Sequence, residues 1–368
     1  MQPSRFRALI DVPGPFASVF VDDSHDTADA AKQAELRWRA VTEDLASHGA
    51  DDQLVGVVTD ALTGAPAPVG RGGRALIATR DGVHLDQRLI RPPDAPIVRL
   101  SALPYLVPAV VHGVDDPPYL TVAVDHSGAD ITVHRAGRTR AVSVEGDRYP
   151  VHKASSAESP GYGDPQRTAE NARMKNVQEV AEDVTATFED ADPDVVFVVG
   201  EVRSRADLLA LLPQRVTEKV VEVNAGARGS VDAEALAHDI DTHLRLRRVD
   251  VIDAAAQRFS AEINRDSGLA TEGLDGVCAA LREGAVETLI IGDLGEATVV
   301  MGDSAMTVAP TPEVLSELGS AATTTVRADE ALPFAAVGID ADLLGMDERL
   351  SPRDGIAAIL RYAPRTPA

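Results

Sequence analysis

The run Asp194-Val195-Val196-Phe197-Val198-Val199 decides the fold. Five successive apolar side chains leave no polar face, so a strand here must be covered on both sides, as in α/β layers. Upstream, Val177, Val180, Ala181, Val184 and Phe188 recur at helical spacing and predict a long helix. Downstream, a short helix over 204–212 and a strand over 220–223 are expected. Such alternation implies an α/β layer architecture.

Working outward, Tyr119 to Val124 reads as a half-buried strand that turns at Ser127-Gly128 into a second strand, Ile131 to His134. Near the start, a strand (17–21), a helix (29–46) and a strand (74–79) are expected, with Leu36, Ala40 and Leu45 as the helix's apolar side. Residues 231–263 read as mostly helical up to Asp266-Ser267-Gly268. Beyond come a helix (274–283), strands (287–291, 298–301), a helix (312–318) and strands (323–326, 356–362). Asp115-Asp116-Pro117-Pro118 and the break at Asp266 then divide the 368 residues into three consecutive α/β domains: 1–118, 119–266 and 267–368.

The chain carries 58 acidic against 35 Lys and Arg residues, a net charge of −23, with 44% apolar residues. That apolar content excludes a disordered acidic chain. Acidity grows along the sequence: −5 over 1–118 (11 basic, 16 acidic), −8 over 119–266 (18 and 26) and −10 over 267–368 (6 and 16). Residues 135–175 run the other way, with 8 basic against 5 acidic residues. Phosphate neutralisation by Lys and Arg supplies most nucleic-acid affinity. The bulk charge therefore disfavours such a role, and this stretch restores it locally.

No apolar run is long enough to span a membrane, and the N-terminus lacks the apolar core of a signal peptide, so a cytoplasmic protein with no membrane or DNA partner is expected. A lone Cys278 between Val277 and Leu281 reads as a buried, inert thiol. The sequence contains no P-loop or dinucleotide fingerprint, and Gly302-Asp303-Ser304-Ala305-Met306 misses the last glycine of a nucleophile elbow. His238 and His243 are five apart, a spacing that separates them on a helix. No cofactor or metal is expected.

Two stretches retain chemical interest. Gly70-Arg71-Gly72-Gly73-Arg74 combines glycines that admit close backbone approach with arginines that can fork onto phosphate; the competing reading is a loop feeding a strand. The second is the loop 155–166 with the helix that follows. Gly161 and Gly163 loosen the loop, Asp164 is a good N-cap, Pro165 suits the first helical position, and Arg167, Arg173 and Lys175 supply charge. Solvated surface is the competing reading there.

Gln166 to Glu182 resembles the helix after the GGQ loop in the middle domain of archaeal and eukaryotic class I release factors and Pelota. Gln166 takes the place of the motif's glutamine, and Ala172-Arg173 falls on the family's Ala-Arg pair. The stretches 274–291 and 355–362 are similar to the family's C-domain patterns "GLDEVLxALxxGAVETLLI" and "GGIxxILRY". The resemblance covers about 119–362 and points to the bacterial archaeo-eukaryotic-like release-factor group, which includes the Balon type of ribosome hibernation factor. It implies a factor that occupies the ribosomal A site, contacts rRNA and partners elongation factor Tu through its C-domain, with Tyr162, Gly163, Arg167, Arg173 and Lys175 as candidate RNA contacts; Arg71, Gly72, Gly73 and Arg74 are further candidates from their residue types alone, since the first domain has no motif that aligns with a release-factor N-domain. Asp164 and Pro165 occupy the positions of the family's two glycines. Proline fixes φ and lacks an N–H, and aspartate brings negative charge towards phosphates, so ester hydrolysis is not expected. The alternative is a peptidyl-tRNA hydrolase or rescue factor that uses Gln166.

Overall fold

The computed structural model describes residues 3–25, 29–64, 71–114, 117–135, 138–145 and 165–363. The first segment contains β1 (Phe16–Asp22), α1 (Ala30–Ser47), α2 (Asp52–Gly64), β2 (Gly73–Thr79), β3 (Gly82–Leu89), β4 (Ile97–Ser101) and α3 (Val107–His112). Its strands form an antiparallel sheet in the order β3-β2-β1-β4. Ala17, Val19, Val21, Leu76 and Ala78 on one face meet Trp38, Val41, Leu45, Leu54, Val58 and Leu62 of α1 and α2. Phe16, Phe20, Ala75 and Ile77 on the other face enter a second core.

The buried side of α1 is Ala30, Ala34, Trp38, Val41 and Leu45, whereas Leu36 is 56% exposed. This corrects the expected apolar side: Leu36 and Ala40 lie off the stripe that Trp38 sets, and the helix turns its one tryptophan inward because that ring buries the most area.

The middle segment runs through β5 (Tyr119–Val124), β6 (Gly128–Arg135), β7 (Arg138–Glu145), α4 (Pro165–Ala191), β8 (Val195–Gly200), α5 (Val202–Leu209), α6 (Gln214–Thr217), β9 (Val220–Val223), β10 (Gly226–Ala227), β11 (Ser230–Val231) and α7 (Ala233–Arg265). The five-stranded sheet has the order β7-β6-β5-β8-β9, with β5, β8 and β9 parallel and the β6–β7 hairpin antiparallel. Every residue of β8 is buried, as the opening run requires. Val196 and Val198 join Val177, Val180, Val184 and Phe188 of α4 on one face. Val195, Phe197 and Val199 pack with Ile240 and Leu244 of α7 on the other. Tyr119 stacks on His134 and meets Phe197 edge-on, as does His243. Gly200 has φ 149°, and a Cβ there would lie 2.2 Å from the Val124 carbonyl oxygen, so the strand can end there only on glycine.

The last segment holds β12 (Ala270–Glu272), α8 (Gly273–Arg282), β13 (Val286–Ile291), β14 (Thr298–Met301), β15 (Val308–Ala309), α9 (Pro312–Glu317), β16 (Thr324–Arg327), α10 (Ala328–Gly338), β17 (Asp342–Gly345) and β18 (Ile356–Leu360). They make two sheets, β12-β18-β13-β17 and β15-β14-β16. The whole is a mixed α/β protein with several sheets.

By compactness the chain forms two units, Met1–Val114 with Arg248–Ala368 and Asp115–Arg247. In the first, a single core runs from Phe6, Phe16, Phe20 and Leu106 to Leu281, Leu289, Leu332 and Ile356. A charged cluster ties the same two segments. Arg99 of β4 donates to Asp329 (3.0 Å) and Glu330 (3.2 Å) at the start of α10, and its guanidinium lies 3.5 Å from the centre of the Tyr105 ring. Arg327 closes the cluster on Asp329 at 3.0 Å.

Cys278 is buried, and burial pushes its thiol up to about 12, which keeps it protonated and unreactive. Among the described residues, no helix is long and apolar enough to cross a membrane.

Candidate nucleic-acid interface

Strand β2 begins inside the first candidate stretch. Gly70 lies outside the described residues. Arg71 is exposed; Gly72, Gly73 and Arg74 are buried. Gly72 is pinned by Ser24, whose hydroxyl accepts from the Gly72 N–H at 3.1 Å, while the Gly72 carbonyl accepts from the Asp23 N–H at 3.0 Å. At Gly73 a Cβ would meet Pro92 Cα and the Val21 carbonyl oxygen at 3.0 Å each, and the Arg91 carbonyl oxygen at 3.1 Å. The glycine therefore lets β2 pass close to the chain after β3.

Arg74 has 8% of its side chain exposed. Its Nε and Nη2 fork onto the Asp86 carboxylate of β3 at 2.8 and 2.7 Å, and Nη2 also donates to the Ala61 carbonyl at 2.9 Å. The Asp86 hydrogen bonds hold its proton above the usual arginine value. The arginine fork is thus engaged within the protein, and Arg71 is the exposed cation of the stretch.

Sequence reasoning missed the charges around it. Arg37 of α1 pairs with Asp22 at 3.0 Å, and its Nε and Nη2 make no hydrogen bond. Asp22 sits low despite burial, because Ser24 donates to it and Arg37 and Arg71 lie close. Arg88, opposite Arg74 in the β2–β3 ladder, is exposed. The signal was present: Val83, Leu85, Gln87 and Leu89 alternate with period two and mark β3.

In the second candidate stretch, α4 begins at Pro165, so Gln166 lies in its first turn. Tyr162 and Gly163 fall outside the described residues, and of the Gln166 and Arg167 side chains nothing is described. Arg173 is 17% exposed and pairs with Asp207 of α5 at 2.7 Å; its Nε is buried without a hydrogen-bond partner. Lys175 is exposed. Arg173 and Lys175 share α4, while Arg71 belongs to the other compact unit.

Among the described residues no group of His, Cys, Asp and Glu could hold a metal. The arrangement offers an exposed arginine just before strand β2 and basic side chains along helix α4. It defines a mixed α/β protein with exposed basic residues at a strand start and on a helix, set in an acidic chain.

Residues 118–265 match the model of bacterial archaeo-eukaryotic release factor family 2. The uncharacterized protein Rv2629 of Mycobacterium tuberculosis H37Rv is 47% identical over 364 residues, covering 99% of this chain and 97% of that protein. The chain belongs to the bacterial archaeo-eukaryotic release factor family. Among solved structures it is similar to archaeal Pelota bound to the ribosome (15% identity, 99% of this chain and 94% of that one, TM-score 0.43). It is also similar to the archaeal termination factor aRF1 (15% identity, 98% and 96%, TM-score 0.25).

Proposed function

We propose that the protein is a cytoplasmic ribosome hibernation factor that fills the A site of idle ribosomes and blocks translation without releasing peptide. Family membership supports a role in translation. The observation that carries the non-hydrolytic reading is the start of α4 at Pro165, which takes Gln166 into a helical turn. Ester hydrolysis by a release-factor loop needs the glutamine on mobile backbone that can enter a narrow RNA cavity and place a water. Helical φ and ψ at Gln166, preceded by a proline, remove that freedom.

In this reading the three segments expected from the sequence divide the work. Residues 1–118 face the decoding region and touch rRNA through Arg71; Arg74 joins only by giving up Asp86. Residues 119–266 reach towards the large subunit through the loop 155–166 with Tyr162, Gly163, Arg167, Arg173 and Lys175. An aromatic such as Tyr162 stacks on unpaired bases. Residues 267–368, the most acidic segment, engage protein, with elongation factor Tu as the expected partner.

Purified protein incubated with ribosomes stalled on peptidyl-tRNA tests this reading. Binding without peptide release is expected. Release that disappears in Gln166→Ala would replace it with the hydrolase reading.

A further inference from the structure

The β6–β7 hairpin carries charge that its own stability does not require. Arg135 and Arg138 lie directly opposite each other across the antiparallel ladder. Like charges in that position repel. Arg140 follows two residues after Arg138 and so shares its face of the strand, about 6.6 Å further along. All three arginines are exposed. Arg140 approaches Asp190 at 3.7 Å, with 68% and 73% of the two side chains in water, a pair too solvated to hold it. Arg135 and Arg138 have no ion pair among the described residues. The hairpin ends the sheet, because β7 is an edge strand.

Three co-facial, weakly engaged arginines in a chain of net charge −23 call for a polyanion. We propose that Arg135, Arg138 and Arg140 form a binding site for the phosphodiester backbone of RNA, additional to Arg71 and to the loop 155–166. Planar forks spaced along a strand suit successive phosphates. Among the described residues of the hairpin no large apolar side chain is exposed to act as the anchor that carries protein interfaces, which favours RNA over an acidic protein. The site deepens the ribosome-binding reading and rests on it for the identity of the RNA.

The test compares full-length protein with the triple variant Arg135→Ala, Arg138→Ala, Arg140→Ala and with the corresponding triple Lys variant, all checked for unchanged thermal unfolding. One arm measures binding to a fluorescein-labelled RNA duplex of about 16 base pairs across a salt series; another measures co-sedimentation with vacant ribosomes; a third uses labelled poly-glutamate. The Ala variant should flatten the log Kd against log salt slope on RNA by roughly 2–3, and the Lys variant should keep it, since each phosphate contact contributes somewhat less than one unit. An unchanged RNA slope in the Ala variant overturns the site, as does a loss confined to poly-glutamate. Hairpin-dependent RNA binding without ribosome co-sedimentation keeps the site and sinks the ribosomal reading; ribosome binding unaffected by the Ala variant does the reverse.

Discussion

Replacing Arg99 by alanine should destabilise the first compact unit in a pH-dependent way. Arg99 is the cation that β4 supplies to Asp329 and Glu330, whose side chains are 10% and 4% exposed. Removing one partner of a buried pair costs about 3–5 kcal/mol, because a charge is left without compensation. Arg99 keeps 24% of its side chain in water, which places the expected cost near the low end, about 3 kcal/mol at pH 8. Burial already raises the Glu330 carboxyl above its ordinary value of 4.5, and Arg99 is the main group that restrains it, with a smaller contribution from Ser101. With the folded value above the unfolded one, the folded state holds the proton more tightly. The Glu330 contribution is therefore fully present below 4.5 and is lost as pH rises through the raised value.

Without Arg99 that value climbs further and the penalty grows with pH. At pH 5 it should fall towards the roughly 1 kcal/mol of a lost hydrogen bond. Trp38 is the only tryptophan in the chain and is buried in this unit, so its fluorescence during urea unfolding reports the unit alone. A wild-type-to-variant gap equal at pH 5 and pH 8, or below about 1 kcal/mol at pH 8, would refute the reasoning.

Three further outcomes are expected. Gly73→Ala should cost about 1–3 kcal/mol on the same fluorescence assay, since its Cβ meets backbone that has little room to move. Asp86→Ala should cost about as much as other broken, partly buried charged hydrogen bonds, roughly 2–3 kcal/mol, while Arg71→Ala should leave stability within about 0.5 kcal/mol. Cys278 should resist a thiol reagent such as Ellman's reagent at neutral pH in the native protein and react on addition of denaturant; rapid labelling of folded protein would contradict its buried, protonated state.

Elements with one strong period were legible in the sequence. The uninterrupted β8 run and the α4 stripe gave a covered strand and its helix, because each buries a full face and the pattern shows it. Helix α10 was not. Ala328 to Val337 of α10 are all buried, so no helical stripe distinguishes them, and Pro333 within the run reads as a breaker. Strands β4 and β7 were also hidden: one is half-buried throughout and the other largely exposed, so neither shows a clean alternation.

The candidate site was legible by residue type and less so by role. Gly73 and Arg74 have the chemistry of an anion loop, but their roles here follow from partners distant in sequence: Pro92 beside the glycine and Asp86 under the guanidinium. Reading those roles required the β2–β3 register. The co-facial placement of Arg135, Arg138 and Arg140 likewise depends on a hairpin register that composition alone does not give.

The central claim is most directly tested by competition for the A site. Vacant ribosomes programmed with messenger and a P-site tRNA are saturated with the protein, and binding of labelled aminoacyl-tRNA is then measured as protein concentration rises. The account predicts that aminoacyl-tRNA is excluded in proportion to bound protein, with the P-site peptidyl bond left intact. Undiminished aminoacyl-tRNA binding at full occupancy by the protein would contradict it.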